Sequence, residues 1–506
     1  MTEYRDPQAI VPKLFVILIA VFLTIPALFQ IAIELRNGES VYVTELWRHV
    51  PTEPFLREFE ATLDEGMELA NRIRPPYAAL LDRYFRRGNE KVVMGLDDWL
   101  FLDESLRYIQ ERPPSFARGS TGEDPAAVII DFHRQVQAAG GQLVVVPVPV
   151  KPTVHAEKLA AGIAPDLAPN YRGFSDIIGE LHRAGVVVVE LGPTLLEVKN
   201  RGDAAYLPRD THWSPLGVKA AAAEVARRLS ALPAFEQLER GGVRFSHRLI
   251  DFTGTGDLYD MLAYAESGAQ VPPMEYRVEQ IVASPHGPAP TGDRGSPIVL
   301  LGDSYSAVYS EPALGLGRHA GFAEHLADEL GIPLDVIAVP GGGAHRARDA
   351  FALRGSSLRS KRIIVWQFSE RELGPSATGW KRISFSTAEV RAGSVQGEGL
   401  RVRARLTGIS RLPDDLNYPD CLIMLRYKAL QPRAKTEEPL YVAVWGQRGW
   451  EPVAANRDFA VEDVHELSLV PLRERYDIEK TCWADDVGVD RSPWWAESLR
   501  RVGPSP

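Results

Sequence analysis

Asp210 and His212 are separated by a single threonine and stand just before Ser214-Pro215, which reads as the N-cap and first position of a helix. Further along the chain, the apolar run Ile298–Leu301 leads directly into Gly302, Asp303 and Ser304. A serine hydroxyl is a weak nucleophile unless a neighbouring base accepts its proton. Histidine suits that task near neutral pH, and a carboxylate on its far nitrogen fixes the tautomer and stabilises the charged ring. Ser304, His212 and Asp210 therefore have the composition of an acyl-transfer triad. A third feature is the glycine run Gly341 to Gly343 in "VPGGGAHR". The amides of Gly342 and Gly343, with that of Ser304, could hold an oxyanion, or the run could be an ordinary turn into a helix. His345 is a second candidate base, ranked below His212 because no carboxylate stands beside it.

These residues need a scaffold that brings distant segments to one edge, and the pattern of the chain supplies it. Strand-like runs at 142–150, 186–191, 298–301 and 362–368, with "LDVIAVP" between the last two, alternate with helical segments, among them 215–231. Such alternation predicts an α/β fold with a parallel sheet, whose ligands bind at the carboxyl ends of strands. Residues 235–296 interrupt the rhythm and read as an irregular insertion. From 378 to 506 the chain turns β-rich, with short strands at regular spacing that predict a β-sandwich. The expected organisation is an anchor at 1–36, a helical lead-in at 37–90, a catalytic domain at 91–377 and the β-rich domain at 378–506.

Composition narrows the function classes. With 45% hydrophobic and 25% charged residues the chain is globular rather than disordered. A net charge of −10 argues against nucleic-acid binding and requires a local basic patch for any anionic substrate. Leu14 to Ile33 is uncharged and long enough to span a bilayer, so a retained membrane anchor is expected. The two cysteines, Cys421 and Cys482, could form one disulfide in an oxidising compartment or remain separate thiols. No zinc-type spacing and no cofactor motif is present, so neither a metal nor a cofactor is expected.

"GDS" after a strand and D-x-H before a helix resemble the SGNH (GDSL-type) hydrolase superfamily. Ordinary members carry the serine early and the Asp/His pair last, whereas here the order is reversed. Together with "GLDDWLFL", "VPVPVKPTVH", "DTHW", "GDLYDML", "GDSYS" and "VWQFSERELG", the permuted order resembles the alginate O-acetyltransferase family of the AlgX/AlgJ type, over roughly residues 90 to 375. The resemblance implies an SGNH-like three-layer sandwich with Ser304 as nucleophile, His212 as base and Asp210 as its orienting acid. It implies a bacterial inner-membrane protein whose body lies in the periplasm and acetylates hydroxyls of an exported polysaccharide through an acetyl-serine. Its partners would be a membrane-bound O-acyltransferase donor and an export complex, and the β-rich tail would bind carbohydrate. The "GxND" block of ordinary SGNH hydrolases is missing, which leaves an oxyanion donor unassigned. On this reading Trp213 and Tyr305 are candidate sugar-stacking walls, with buried packing as the alternative. Arg371, beside Glu370, could orient a substrate carboxylate or hydroxyl, or serve in a structural ion pair. An acetylesterase using the same triad, or a non-catalytic polysaccharide-binding scaffold, are the competing functions.

Overall fold

The computed structural model describes residues 88–111, 123–238, 242–262, 272–285, 287–354, 358–377 and 379–385. It also describes 399–504 with short gaps, 28–37, 41–47 and the isolated positions 24 and 59. Two compact units are present, Met1–Val93 with Tyr259–Val271, and Met94–Leu258 with Pro272–Pro506. The second unit carries the three sheets discussed below.

Five parallel strands form the first sheet: β1 (Gln142–Val148), β2 (Val187–Val188), β5 (Ile298–Gly302), β6 (Asp335–Ala338) and β7 (Ile363–Ser369), in the spatial order β2-β1-β7-β5-β6. Leu143 and Val145 of β1, Val299 and Leu301 of β5 and Ile364 and Trp366 of β7 share one face. There they pack with α1 (Pro125–Ala138), α2 (Phe174–Arg183) and α6 (Arg346–Leu353). The alternate residues Val144, Leu300 and Val365 are equally buried, so both faces are covered. Burial on both faces is why these strands read as unbroken apolar runs in the sequence.

Helix α3 (Pro215–Ser230) starts as its sequence predicts. Ser214 Oγ accepts from the Gly217 amide at 3.0 Å and donates to Ala204 O at 2.6 Å. Val218, Ala221, Ala222, Val225 and Leu229 form its buried stripe, the spacing expected of an amphipathic helix. Helix α5 (Phe322–Leu330) and the single turn α4 (Ser304–Ala307) complete the surroundings of the strand ends.

The described part of residues 235–296 is more ordered than its sequence suggests. They contain an antiparallel pair, β3 (Ser246–Gly254) and β4 (Met274–Val282), in register from Ser246 with Val282 to Gly254 with Met274. Most of β3 is exposed or only half-buried, so the alternation that announces a half-buried strand is blurred there.

The C-terminal strands are β8 (Leu400–Ile409), β9 (Cys421–Gln431), β10 (Leu440–Arg448), β11 (Glu451–Pro452), β12 (Asp463–Pro471), β13 (Cys482–Ala484) and β14 (Trp494–Pro504). The expected two-sheet sandwich is corrected here. They form one sheet, ordered β11-β10-β14-β12-β8-β9-β13, in which β10 also pairs with β9. The sheet therefore closes on itself around Val402, Leu406, Leu425, Tyr427, Val442 and Leu467. Closure satisfies strand edges that a flat sheet would expose.

Most of the expected anchor, Leu14 to Ile33, and most of the 37–90 lead-in lie outside the described residues. Among those described, no helix is long and apolar enough to cross a membrane.

Candidate active site

The loop before α3 turns back on itself. The Leu207 amide donates to His212 O at 3.1 Å, and Ser214 N donates to Ala205 O at 2.9 Å. Within that loop, His212 Nδ1 lies 2.8 Å from Asp210 Oδ1, which also accepts from the His212 amide at 2.9 Å. Both side chains are buried. Burial alone would push the imidazole down, but the hydrogen bond and charge of Asp210, with the charges of Asp257 and Asp303, hold it above its ordinary value. Burial acts on Asp210 in the opposite sense and is outweighed by His212 and two amides, so its carboxyl stays below the usual range. The other ring nitrogen, Nε2, is buried and makes no hydrogen bond among the described residues.

Ser304 stands at the first position of α4, two residues beyond the end of β5. Asp303 caps that turn. Its Oδ1 accepts from the Tyr305 amide at 2.9 Å and from Gln367 Nε2 at 2.8 Å, and its Oδ2 accepts from Ser369 N at 2.9 Å. Its main-chain oxygen takes the Ser306 and Ala307 amides. Burial pushes the Asp303 carboxyl above its ordinary value, and these donors only partly offset it. The turn meets the histidine through Tyr305, whose ring lies edge-on to His212 with centroids 4.9 Å apart and whose hydroxyl donates to Thr211 O at 3.2 Å. No hydrogen bond joins Ser304 to His212 among the described residues. The structure thus joins Asp210 to His212 directly, and brings Ser304 to them as the neighbour of a ring that touches the base.

Several expectations change. Trp213 and Tyr305 do not wall a sugar site, because their exposures are 0% and 1%. Trp213 is packed between Tyr305 and Phe322, with centroids at 5.4 and 5.5 Å. Gly342 does not offer an oxyanion donor, since its amide is spent on Val339 O at 2.9 Å. Gly343 serves close packing: a Cβ there would stand 2.7 Å from Glu372 Oε2, and its φ of 51° favours glycine. Glu370 turns into the fold, where it accepts from Val150 N at 3.0 Å, Thr153 Oγ1 at 3.1 Å and Asn170 Nδ2 at 3.2 Å. His345 lies 3.9 Å from Glu372 Oε2 and edge-on to Trp380, a carboxylate neighbour that sequence adjacency did not reveal.

Arg371 sits between two carboxylates, with Nε 3.2 Å from Glu104 Oε2 and 3.9 Å from Glu372 Oε1. Its Nη1 is buried and hydrogen-bonds nothing among the described residues. Burial pushes the Glu372 carboxyl up to about 7 against the opposing charge of Arg371.

Two contributors escaped the sequence reading. Lys151 is buried, and its Nζ donates to Leu100 O at 2.6 Å, Pro208 O at 2.7 Å and Asp210 O at 3.0 Å, over the rings of Trp99 and Phe101. Asp257 receives the Thr211 amide on Oδ1 at 2.6 Å and gives its own amide to Asp210 Oδ2 at 2.9 Å. Both residues lie in quoted motifs, "VPVPVKPTVH" and "GDLYDML", but nothing in their local spacing aims them at residue 210. Among the described residues, Asp210, His212 and Asp257 are also three groups whose ligand atoms come within 4.8 Å of one another. Three of their carboxylate oxygens are already engaged by protein N–H groups.

A parallel α/β sheet with a serine at one strand end and an Asp-His pair on a neighbouring loop defines an SGNH hydrolase-like domain. The family model described as the SGNH hydrolase-like domain of acetyltransferase AlgX matches residues 92–370, more than half of the chain, and the chain belongs to that family. It is 28% identical over 334 residues to the Pseudomonas aeruginosa protein named "Probable alginate O-acetylase AlgJ", a match covering 62% of this chain and 78% of that one. The AlgJ of Azotobacter vinelandii, named in the same way, is 26% identical over 324 residues with the same coverage. The Pseudomonas aeruginosa "Alginate biosynthesis protein AlgX" is 26% identical over 291 residues, 55% of each chain. Among solved structures, the O-acetyltransferase domain of Pseudomonas putida AlgJ covers 57% of this chain and 93% of its own, at 24% identity and a TM-score of 0.42.

Proposed function

We propose that this protein is an O-acetyltransferase that moves acetyl groups onto hydroxyls of an exported polysaccharide through an acetyl-Ser304 intermediate. The observation that carries the reading is the state of His212. Asp210 holds its Nδ1 at 2.8 Å, while its buried Nε2 is unengaged beside the Ser304 turn. A base in that position takes the Ser304 hydroxyl proton as the oxygen attacks the acetyl carbonyl, and returns it to the departing donor. The same base then takes the proton of an acceptor hydroxyl as its oxygen attacks the acetyl carbonyl, and gives that proton to Ser304 Oγ as the ester bond to the serine breaks. The Ser304 amide, the one amide of its turn that Asp303 does not hold, supports the oxyanion, and the unpaired Nη1 of Arg371 orients the acceptor.

The relatives named alginate O-acetylase support a polysaccharide acceptor. The apolar N-terminal segment supports a membrane-anchored protein with a periplasmic body, supplied with acetyl by a membrane-bound O-acyltransferase within a biosynthesis complex. The test uses the full chain in detergent with a chromogenic acetyl ester and an unacetylated alginate oligosaccharide, read by mass spectrometry. Acetylated sugar is expected from the wild type and none from Ser304→Ala or His212→Ala. Acetate release without any acetylated sugar would make the protein an esterase, and full activity in Ser304→Ala would overturn the nucleophile.

A further inference from the structure

Asp257 reaches the base from a segment 45 residues beyond it in sequence (212 to 257) and far from the serine. Gly256 allows the approach: its φ is 94°, and a Cβ there would stand 2.6 Å from the Arg209 carbonyl carbon and 3.1 Å from the Asp210 amide. Seated on the loop in this way, Asp257 is tied to it by the two amide bonds already described. Its second carboxyl oxygen, Oδ2, lies 3.8 Å from His212 Nδ1, on the same edge of the ring that Asp210 occupies. The charged and titratable groups facing it are Asp210 and His212 on the loop, Lys151 behind the loop and Tyr305 on α4.

We propose that Asp257 is a second positioning carboxylate for His212, so that two acids rather than one hold and charge-stabilise the base. The proposal rests on the reading of His212 as the base. When Nε2 takes the Ser304 proton, the ring becomes an imidazolium whose Nδ1 proton stays on the hydrogen bond to Asp210. No proton passes to Asp257. It contributes a charge next to the developing cation and a brace on the Asp210 carboxyl. Burial and the Asp210 charge push the Asp257 carboxyl up to about 7, so its ionisation falls where a histidine base operates.

Asp257→Asn in the full chain tests this, because an amide oxygen still accepts from Thr211 N while the ionisable group is gone. With the acetyl ester as substrate, kcat is expected to fall about three- to ten-fold with KM unchanged. The acid limb of the pH profile is expected to move about half a pH unit lower, because loss of a neighbouring negative charge lowers the His212 pKa. A rate and pH profile equal to wild type would overturn the proposal, as would a lower kcat with an unmoved acid limb. Ser304→Ala and His212→Ala run alongside: if they keep activity the triad reading has failed, and if they are inactive while Asp257→Asn behaves as wild type only the present proposal has. Should Asp257→Asn fail to fold, Asp257→Ser retains an oxygen for Thr211. In either variant combined with Ser304→Ala, 13C-labelled histidine spectra are expected to show His212 titrating lower, and an unshifted titration overturns the role.

Discussion

Gly302 is followed by a turn that leaves no room for a side chain: a Cβ would stand 2.5 Å from Ser306 Cβ and 3.0 Å from Gln367 Oε1. Ser306 donates to Gln367, Gln367 donates to Asp303, and Asp303 caps the turn that presents Ser304. A methyl group inserted here has to displace this chain of bonds, so Gly302→Ala is expected to cost about 1–3 kcal/mol and to lower kcat as Ser304 shifts. Chemical denaturation and ester kinetics check both, and a variant equal to wild type in both would mean the turn yields freely. Trp213 makes the opposite kind of prediction. It adjoins the base in sequence, but its ring lies wholly inside the fold against Tyr305 and Phe322. Trp213→Ala is therefore expected to lose about 3–5 kcal/mol of stability, as other buried tryptophans do. A stable protein with only a raised KM for sugar would return Trp213 to the substrate wall.

At the scale of elements, the loop bearing Asp210 and His212 is fixed from behind by Lys151, from the turn after β1. Burial pushes its ammonium down to about 7, while three carbonyl acceptors and the charges of Asp210 and Asp257 favour keeping the proton. Two of those carbonyls belong to Pro208 and Asp210; the Leu100 amide still donates to Pro208 O at 2.9 Å, so Lys151→Met strips Asp210 O of its donor and Pro208 O of one of two. It is expected to cost on the order of 3 kcal/mol and to lower kcat, as read by thermal unfolding and ester turnover. Unchanged stability would show that water can replace the ammonium. The reach of such elements explains what the sequence did and did not disclose. The parallel strands were legible because both their faces are buried, and α3 because Ser214 and Pro215 announce its start. Asp210 and His212 were legible as a pair because they are two residues apart. Lys151 and Asp257 act on the loop from 59 and 47 residues away, through main-chain atoms that no side-chain pattern records. The strand β3 was missed because its exposed residues blur the period, and the closed C-terminal sheet because closure depends on β10 pairing with both β9 and β14, a long-range choice.

For the whole molecule, the proposed periplasmic location has a consequence that the C-terminal sheet can report. Strands β9 and β13 run parallel, and their register sets Cys421 directly opposite Cys482. Neighbouring strands lie about 4.8 Å apart, inside the range of Cα separations that a disulfide spans. The register therefore sets the two residues side by side across one rung, although they are 61 residues apart in sequence (421 to 482). In a reducing compartment they remain thiols, whereas in an oxidising one the pair is set to close. Closing a loop of that length constrains the unfolded chain, which corresponds to about 2–4 kcal/mol once strand geometry is taken into account. Protein exported to the periplasm and purified without reductant is thus expected to show no alkylatable thiol after denaturation and a mass lower by the two hydrogens lost. Reduction should lower its Tm, and Cys421→Ser should reproduce the lower value without responding to reductant. Two alkylatable thiols in exported protein would separate the register from the redox chemistry, leaving a sheet held by its closure alone.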